Sequence, residues 1–365
     1  MLHLELDKIS EYTRPVSENG SLMAMDSFYK ARQVLNEGYS NVAVSISGGK
    51  DSDIMLDLIT KLLKDKSEVR YIWFDTGLEY AATKRHLDDL EQKYGITIER
   101  IKAIKPIPLS CKEYGLPFLS KMVSEQIERL QKYGFQWEDE DYDTLAERYP
   151  KCKSAISWWC NHRDTKEHGF SIFNIDYNKN LKDFLLANPP GFNISKQCCN
   201  YAKKKVSHKF IADNDIDLMI MGIRKAEGGV RSMKYKTCWD NPDEGCHFYR
   251  PLFWYSAEDE QIYDKTFDVK HSDCYEVWGF TRTGCVGCPF NKDFEKDLAI
   301  VRERESHRCT KPVSSFSESH TTTPGSTDAT SKRRRTESCL KLTVRNIVWM
   351  IYWRYQNEAE NLIHL

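Results

Sequence analysis

Along NVAVSIS, Val42, Val44 and Ile46 alternate with smaller residues, the period of a strand with one buried face. Beyond it Ile54, Met55, Leu58, Ile59, Leu62 and Leu63 recur at helical spacing, which predicts a helix beginning near Asp51 or Ser52. EVRYIWF (68–74) reads as a second strand ending at Asp75-Thr76-Gly77. A helix over 80–94 stops at Gly95, and ITIERIKAI (96–104) is a third strand. Upstream, Met23, Phe28, Ala31 and Leu35 predict a helix over 21–38 that Gly38 ends. DLMIMGI (217–223) resumes the sheet. This β-α-β-α-β order predicts an α/β fold with a doubly wound parallel sheet and a ligand at the carboxyl ends of its strands.

Residues 105–195 are less regular and read as a helical insertion over the site. Gln126 to Leu130 falls in a helix, EDEDYD (138–143) is an acidic surface turn, and the tryptophans of SWWC (157–160) suit a core better than a base-stacking surface. From about Ser306 the composition changes. SSFSESHTTTPGSTDATS (314–331) is a disordered linker by composition, KRRR (332–335) a solvated basic run, and 341–358 a candidate terminal amphipathic helix. The expected organisation is an N-terminal helical segment (1–38), one α/β domain (39–300) with its insertion at 105–195 and a cysteine-rich part at 196–290, and a tail (301–365) whose linker runs over 306–340.

The chain has 365 residues, 40% of them hydrophobic, enough for a sizeable core. A formal net charge of −1 gives no global attraction to nucleic acid or membrane. The N-terminus lacks the sustained apolar run of a signal peptide, and IVWMIYW (347–353) is far short of a membrane span, so a cytoplasmic protein with no membrane partner is expected. Twelve cysteines in that setting point to metal or thiol chemistry rather than a disulfide framework.

The candidate chemistry begins at Ser47-Gly48-Gly49-Lys50-Asp51-Ser52, between the first strand and the next helix. Glycines there leave backbone N–H groups unobstructed and the helix N-terminus adds partial positive charge, so the turn suits a phosphate. It is not a Walker A loop, which needs four residues between its first glycine and the Gly-Lys pair. Asp75, at a strand's carboxyl end, is a candidate nucleotide contact. GIRKAEGGVR (222–231) follows the later strand, and Arg224 and Arg231 bracket a Glu-Gly-Gly turn. Their planar forks suit sulfate or phosphate. Cys198-Cys199 and the C-x-x-C of Cys285 and Cys288 offer four thiolates, enough for a [4Fe–4S] cluster or a tetrahedral zinc. Cys238, Cys246 and Cys274 compete for the same role, and Lys203 to Lys205 are placed to offset thiolate charge.

SGGKDS resembles the SGGxDS loop of the PP-loop enzymes, a Rossmann-like superfamily that holds the phosphates of adenine nucleotides. Together with FDTGLEY, GLPFLSK, QCCNYAKKK, GIRKAEGGVR and RTGCVGCPF, it makes residues 40–300 resemble the phosphoadenosine phosphosulfate (PAPS) reductase family. The resemblance implies that the G-x-R segment meets the phosphosulfate end of the nucleotide. The cluster-containing adenylyl-sulfate reductases carry a CC and then a C-x-x-C, which makes Cys198, Cys199, Cys285 and Cys288 the first choice for a [4Fe–4S] cluster, with zinc as the alternative.

Two chemistries fit. In the first, a thiol attacks the sulfur of adenylyl sulfate or phosphoadenylyl sulfate and a thiol reductant releases sulfite. The family places that thiol in a Glu-Cys-Gly segment, whereas here Cys339 sits in TESCLKL and Cys309 stands alone. In the second, ATP is split between its α and β phosphates, and a nucleic-acid or other acceptor is adenylated and then thiolated by a sulfur donor. Lys50 would neutralise phosphate charge, and Asp51 would help place Mg²⁺ if ATP is the substrate. Lys50 and Asp51 are thus the catalytic candidates. A third reading is a metal-bound nucleotide sensor without turnover. Truncation after Glu305 is expected to leave the thermal midpoint and nucleotide affinity unchanged, because the Ser/Thr-rich linker buries too little apolar surface to offset its ordering entropy. A collapsed midpoint would show that Ile347, Val348, Ile351 and Tyr352 belong to the core.

Overall fold

The computed structural model describes residues 2–305 apart from 6, 163–170, 172, 229–233, 241, 243 and 244. Arg231, Cys309, Cys339 and the tail from 306 lie outside the described residues. The chain divides into two compact units. One joins Met1–Ile104 to Ala202–Cys285, and the other joins Lys105–Tyr201 to the stretch that begins at Val286.

The first unit is built on β1 (Val42–Ser45), β2 (Val69–Asp75), β3 (Ile98–Lys102), β4 (Leu218–Met221), β5 (Trp239–Asp240) and β6 (His247–Tyr249). Their order is β3-β2-β1-β4-β6-β5. β1 pairs in parallel with β2 on one side and β4 on the other, in a register that sets Ser45 beside both Ile72 and Met221. β3 and β6 extend the parallel sheet, and only β5 runs antiparallel, against β6. The strand order reverses at β1, so the loops after β1 and β4 flank the switch-point crevice where doubly wound sheets place ligands. The β5–β6 hairpin was not foreseen, because strands of two and three residues carry no period to read.

Helices α1 (Ile9–Glu18), α2 (Leu22–Leu35), α3 (Lys50–Leu62) and α4 (Ala81–Tyr94) pack around this sheet. α3 is buried on every side, with Ile54, Met55, Leu56, Leu58 and Ile59 all at 0% exposure. Each such side chain contributes about 1.5–3 kcal/mol through burial. The pattern of α3 left Asp53 and Asp57 for a polar face, yet both are buried. Asp57 accepts hydrogen bonds from the hydroxyls of Tyr94 (3.0 Å) and Tyr263 (2.9 Å) and pairs with Lys61. The Asp53 Oδ2 meets His86 Nε2 at 3.0 Å and His271 Nδ1 at 2.9 Å, and His271 Nε2 reaches Asp264 Oδ2 at 3.2 Å. Tyr263 and Asp264 belong to the helix Ala257–Phe267, so that helix and α4 are both tied to α3 through buried carboxylates.

The second unit is helical. Lys121–Lys132, Tyr142–Arg148, Lys153–Trp159 and Leu181–Ala187 surround a core of Phe118, Ile127, Leu130, Phe135, Trp158 and Trp159, while Ile107–Tyr114 packs against Gln197–Cys199. Both tryptophans of SWWC are fully buried, as the core reading required. Leu116 exchanges backbone hydrogen bonds with Asn193 and Ser195, which fastens the chain after Ile107–Tyr114 to the approach to Cys198. Among the described residues no helix is long and apolar enough to cross a membrane.

The His271 contacts make stability depend on pH. Burial alone would lower this imidazole, but its hydrogen bonds to Asp264 and Asp53 outweigh that and hold it up at about 9. A histidine raised in the folded state stabilises fully below its unfolded value of about 6.5 and ceases to do so as pH climbs through the folded value. Chemical denaturation of the unaltered protein should therefore show a stability excess over His271→Gln on the order of 3 kcal/mol near pH 6. The excess should fade by about pH 9.5. A difference independent of pH would show that His271 is neutral in the fold.

Candidate functional site

The turn after β1 is closed by its own serines. The Ser52 hydroxyl accepts from the backbone N–H groups of Ser47 and Gly49, each at 3.2 Å, and donates to the Gly49 carbonyl at 2.8 Å. Gly48 has φ +68°, and a Cβ there would stand 2.6 Å from Thr83 Cγ2, so the turn requires glycine for both backbone and space. Gly49 caps α3, whose first residue is Lys50. The helix N-terminus, with its partial positive charge, thus opens at the carboxyl end of the central strand.

The carboxyl end of β4 meets the same helical turn. A Cβ on Gly222 would lie 2.7 Å from the Asp51 carbonyl oxygen and 2.9 Å from the Ser52 nitrogen, an approach only glycine permits. Two residues on, Arg224 Nε donates to Asp51 Oδ1 at 2.9 Å. Glu260 Oε1 lies 2.9 Å from the same nitrogen, at ion-pair distance without hydrogen-bond alignment. Burial, followed by the Asp51 carboxylate, pushes Glu260 up to about 9, so it holds its proton at neutral pH. Arg224 was expected to face an anion. Here its guanidinium is anchored to a carboxylate on the first turn of α3.

Asp75 closes β2 as expected, but its Oδ1 accepts from the Gly77 N–H at 2.9 Å and its Oδ2 pairs with Lys84 at 3.4 Å. Beside it Thr76 Oγ1 donates to Glu79 Oε1 at 2.6 Å and lies 3.7 Å from Cys285 Sγ. Burial raises Glu79, and the Lys203 ammonium works against that rise.

A side chain that the sequence did not single out lies against the glycine-rich turn. The Tyr275 phenol oxygen accepts from the Thr283 N–H at 3.1 Å and shares a 2.8 Å hydrogen bond with Thr283 Oγ1. The Lys50 ammonium sits over the Tyr275 ring, 5.1 Å from its centroid. Tyr275 follows the turn by more than two hundred residues, on the four-residue helix Asp273–Glu276, and no local pattern marks it.

The cysteines separate. Cys198 and Cys199 lie on the short helix Gln197–Cys199, directly before a π-helical turn at Asn200–Lys204, a form of backbone frequent at functional sites. The Cys198 thiol is pushed well up, first by a hydrogen bond with Cys111, with burial and the nearby Cys288 adding to the rise. Cys111 was missed because it stands alone in PLSCKEYG, with no partner at metal-ligand spacing. The geometry agrees with the pairing, since Tyr114, three residues on, stacks on Tyr201 at 4.8 Å, and Tyr201 is three residues beyond Cys198. Cys198, Cys199, Cys288 and Cys111 all belong to the second unit, whereas Cys285 is the last residue of the first.

Cys238, Cys246 and Cys274 fall in the first unit. Cys246 packs with Phe210, Ile216 and Met219, where burial pushes its thiol up to about 11, and Cys274 is buried 4.0 Å from Thr83 Oγ1. Among the described residues no group of three or more cysteine, histidine or acidic side chains stands at metal-holding spacing. The donor set of the second unit still has the chemistry a cluster or zinc requires. Its soft thiols suit either group, and metal binding replaces their protons.

Residues 41–120 match the model of the phosphoadenosine phosphosulfate reductase domain. An uncharacterized protein of Methanocaldococcus jannaschii is 42% identical over 76 residues, 21% of this chain and 15% of that protein. The phosphoadenosine 5′-phosphosulfate reductase of Vibrio parahaemolyticus is 26% identical over 130 residues, 36% of this chain and 47% of that enzyme. The aligned regions thus span less than half the length of these curated relatives. Among solved structures, the phosphoadenylyl-sulfate reductase of Candida auris in its phosphate complex aligns over 78% of this chain and 97% of that one, at 13% identity and a TM-score of 0.38. The 41–120 match takes in β1, the glycine-rich turn, α3, β2, α4 and β3, and over this stretch the chain is similar to the phosphoadenosine phosphosulfate reductase domain.

Proposed function

We propose that the chain is a PAPS reductase-like enzyme of sulfur metabolism or sulfur transfer that binds an adenine nucleotide by its phosphate or phosphosulfate end at the turn Ser47–Ser52. The observation that carries this reading is the position of the turn. A glycine-rich loop and a helix N-terminus meet at the switch point of a parallel sheet, with Lys50 at the start of the helix. Lys50 neutralises phosphate charge. Arg224, held by Asp51 and Glu260, positions the first turn of α3. Asp75 and Arg231 complete the proposed nucleotide set.

The second reading, ATP cleavage with transfer of the adenylyl group, is favoured by the carboxylate of Asp51 beside Lys50. There Asp51 would exchange part of its Arg224 contact for Mg²⁺ carried in with ATP. Cys198, Cys199, Cys285 and Cys288 remain the proposed ligands of a [4Fe–4S] cluster or zinc, with Cys111 as the neighbouring thiol. A cluster would supply sulfur handling or electron transfer, and a zinc only structure.

The loop assignment is tested by nucleotide affinity. Lys50→Ala should weaken ATP, adenylyl sulfate or phosphoadenylyl sulfate binding about 10- to 100-fold, the scale of one charge-assisted hydrogen bond. Gly49→Val should abolish it by blocking backbone approach. Unchanged affinity in both folded variants overturns the assignment. Anaerobic incubation with the three nucleotides in parallel then separates the reactions, since sulfite release marks the reductase and pyrophosphate release marks adenylyl transfer. Binding without either product leaves the sensor.

The metal assignment has its own readout. Anaerobically purified protein should be brown, with iron and acid-labile sulfide that Cys198→Ala removes. Colourless protein carrying zinc and no sulfide rejects the cluster and retains the thiolate site.

A further inference from the structure

The tip of the glycine-rich turn is already covered. The Tyr275 phenol oxygen, which accepts the Thr283 N–H at 3.1 Å, lies against the turn just before the first residue of α3. An oxygen held at a helix N-terminus stands where an anion's oxygen would. Its place is confirmed from the glycine side, since a Cβ on Gly49 would meet that phenol oxygen at 3.2 Å and Thr283 Oγ1 at 3.5 Å. The Lys50 ammonium is engaged by the same residue through the face of its ring. One tyrosine therefore covers both the glycine of the turn and the side-chain donor that Lys50 offers to phosphate.

We propose that the Tyr275 hydroxyl is a built-in stand-in for a phosphate oxygen, and that a phosphate group enters the turn only by displacing it. The inference rests on the nucleotide reading above and deepens it by naming the residue that sets affinity. Tyr275 is a positioning residue in competition with the ligand. The ligand class is a phosphate or pyrophosphate group, whatever nucleoside carries it. Thr283 belongs to the same device, because its N–H and hydroxyl hold the phenol in place. Displacement would free Thr283 two residues before Cys285, so occupancy of the turn reaches the segment that carries this cysteine.

The sign of a mutational effect tests the inference. If Tyr275 competes with phosphate, Tyr275→Phe removes the competing oxygen, keeps the ring over Lys50, and tightens inorganic pyrophosphate and ATP binding about 3- to 10-fold in calorimetric titration of the full chain. Thr283→Val, which loosens the phenol by another route, should act in the same direction. A thermal midpoint for each variant reports that it is folded. In the unaltered protein, pyrophosphate should speed amide hydrogen exchange at Thr283, whose N–H loses its acceptor.

Weaker binding by Tyr275→Phe, or slower exchange at Thr283, would make the phenol a direct ligand and overturn the proposal, leaving the nucleotide reading intact. Affinity unchanged within twofold also overturns it. Failure of the unaltered chain and of Tyr275→Phe alike to bind pyrophosphate or ATP overturns both readings.

Discussion

Everything at the candidate site depends on how α3 is held, and α3 is held by a carboxylate that water never reaches. Asp53 is fully buried, and a lone buried carboxylate costs several kcal/mol unless it is paired. It is paired twice, with His86 from α4 and with His271 from the chain beyond the helix Ala257–Phe267. Because His271 also reaches Asp264, its imidazole keeps both protons and carries a charge between two carboxylates. One turn further along, Asp57 is satisfied by two tyrosine hydroxyls and Lys61. Apolar packing makes α3 stable wherever it lies, but it does not choose its rotation or its height. The directional hydrogen bonds of Asp53 and Asp57 choose both.

Once α3 is fixed, the turn preceding it is fixed too. The helix begins immediately after Gly49, and Gly222 allows β4 to press its carboxyl end against the carbonyl of Asp51. Arg224 then reaches across to Asp51 and Glu260 from a strand more than one hundred and fifty residues away in sequence. The helix Ala257–Phe267 thus acts on α3 through Glu260 and Arg224 at Asp51, Asp264 and His271 at Asp53, and Tyr263 at Asp57. A raised Glu260 fits this arrangement. With its proton retained, it stands beside Asp51 without adding a second negative charge at the first turn of α3.

The sheet was legible because its determinants are local. Val42, Val44 and Ile46 alternate over one strand, EVRYIWF and DLMIMGI are apolar runs of strand length, and Gly95 ends α4 with its φ at +63°. The glycine-rich turn was legible for the same reason, since its glycines, serines and lysine are contiguous. What could not be read was every residue whose role comes from a distant partner. Asp53 and Asp57 recur at the spacing of a solvated helical face, and nothing within α3 says that His271 or Tyr263 will cover them. Arg224 stood out because arginine after a strand suits an anion, but nothing near it in sequence marks its contacts with Asp51 and Glu260, which lie on separate elements. Cys111 has no neighbour in sequence that marks it, and it joins Cys198 only because backbone bonds between Leu116 and the 193–195 segment bring the two stretches together.

The same distinction separates the two halves of the chemistry. The glycine-rich turn is assembled at the start of α3, from residues that a short motif brings together. Tyr275 and Thr283, which lie against it, come from the segment leading to Cys285. Sulfur chemistry requires thiols, and the thiols that act on Cys198 belong to the second unit, whereas Cys285 closes the first. The C-x-x-C therefore bridges the chain boundary between the units, with one cysteine counted in each. Within the first unit, Tyr275 bonds Thr283 and carries the Lys50 ammonium over its ring, so the segment that ends at Cys285 is packed on the glycine-rich turn.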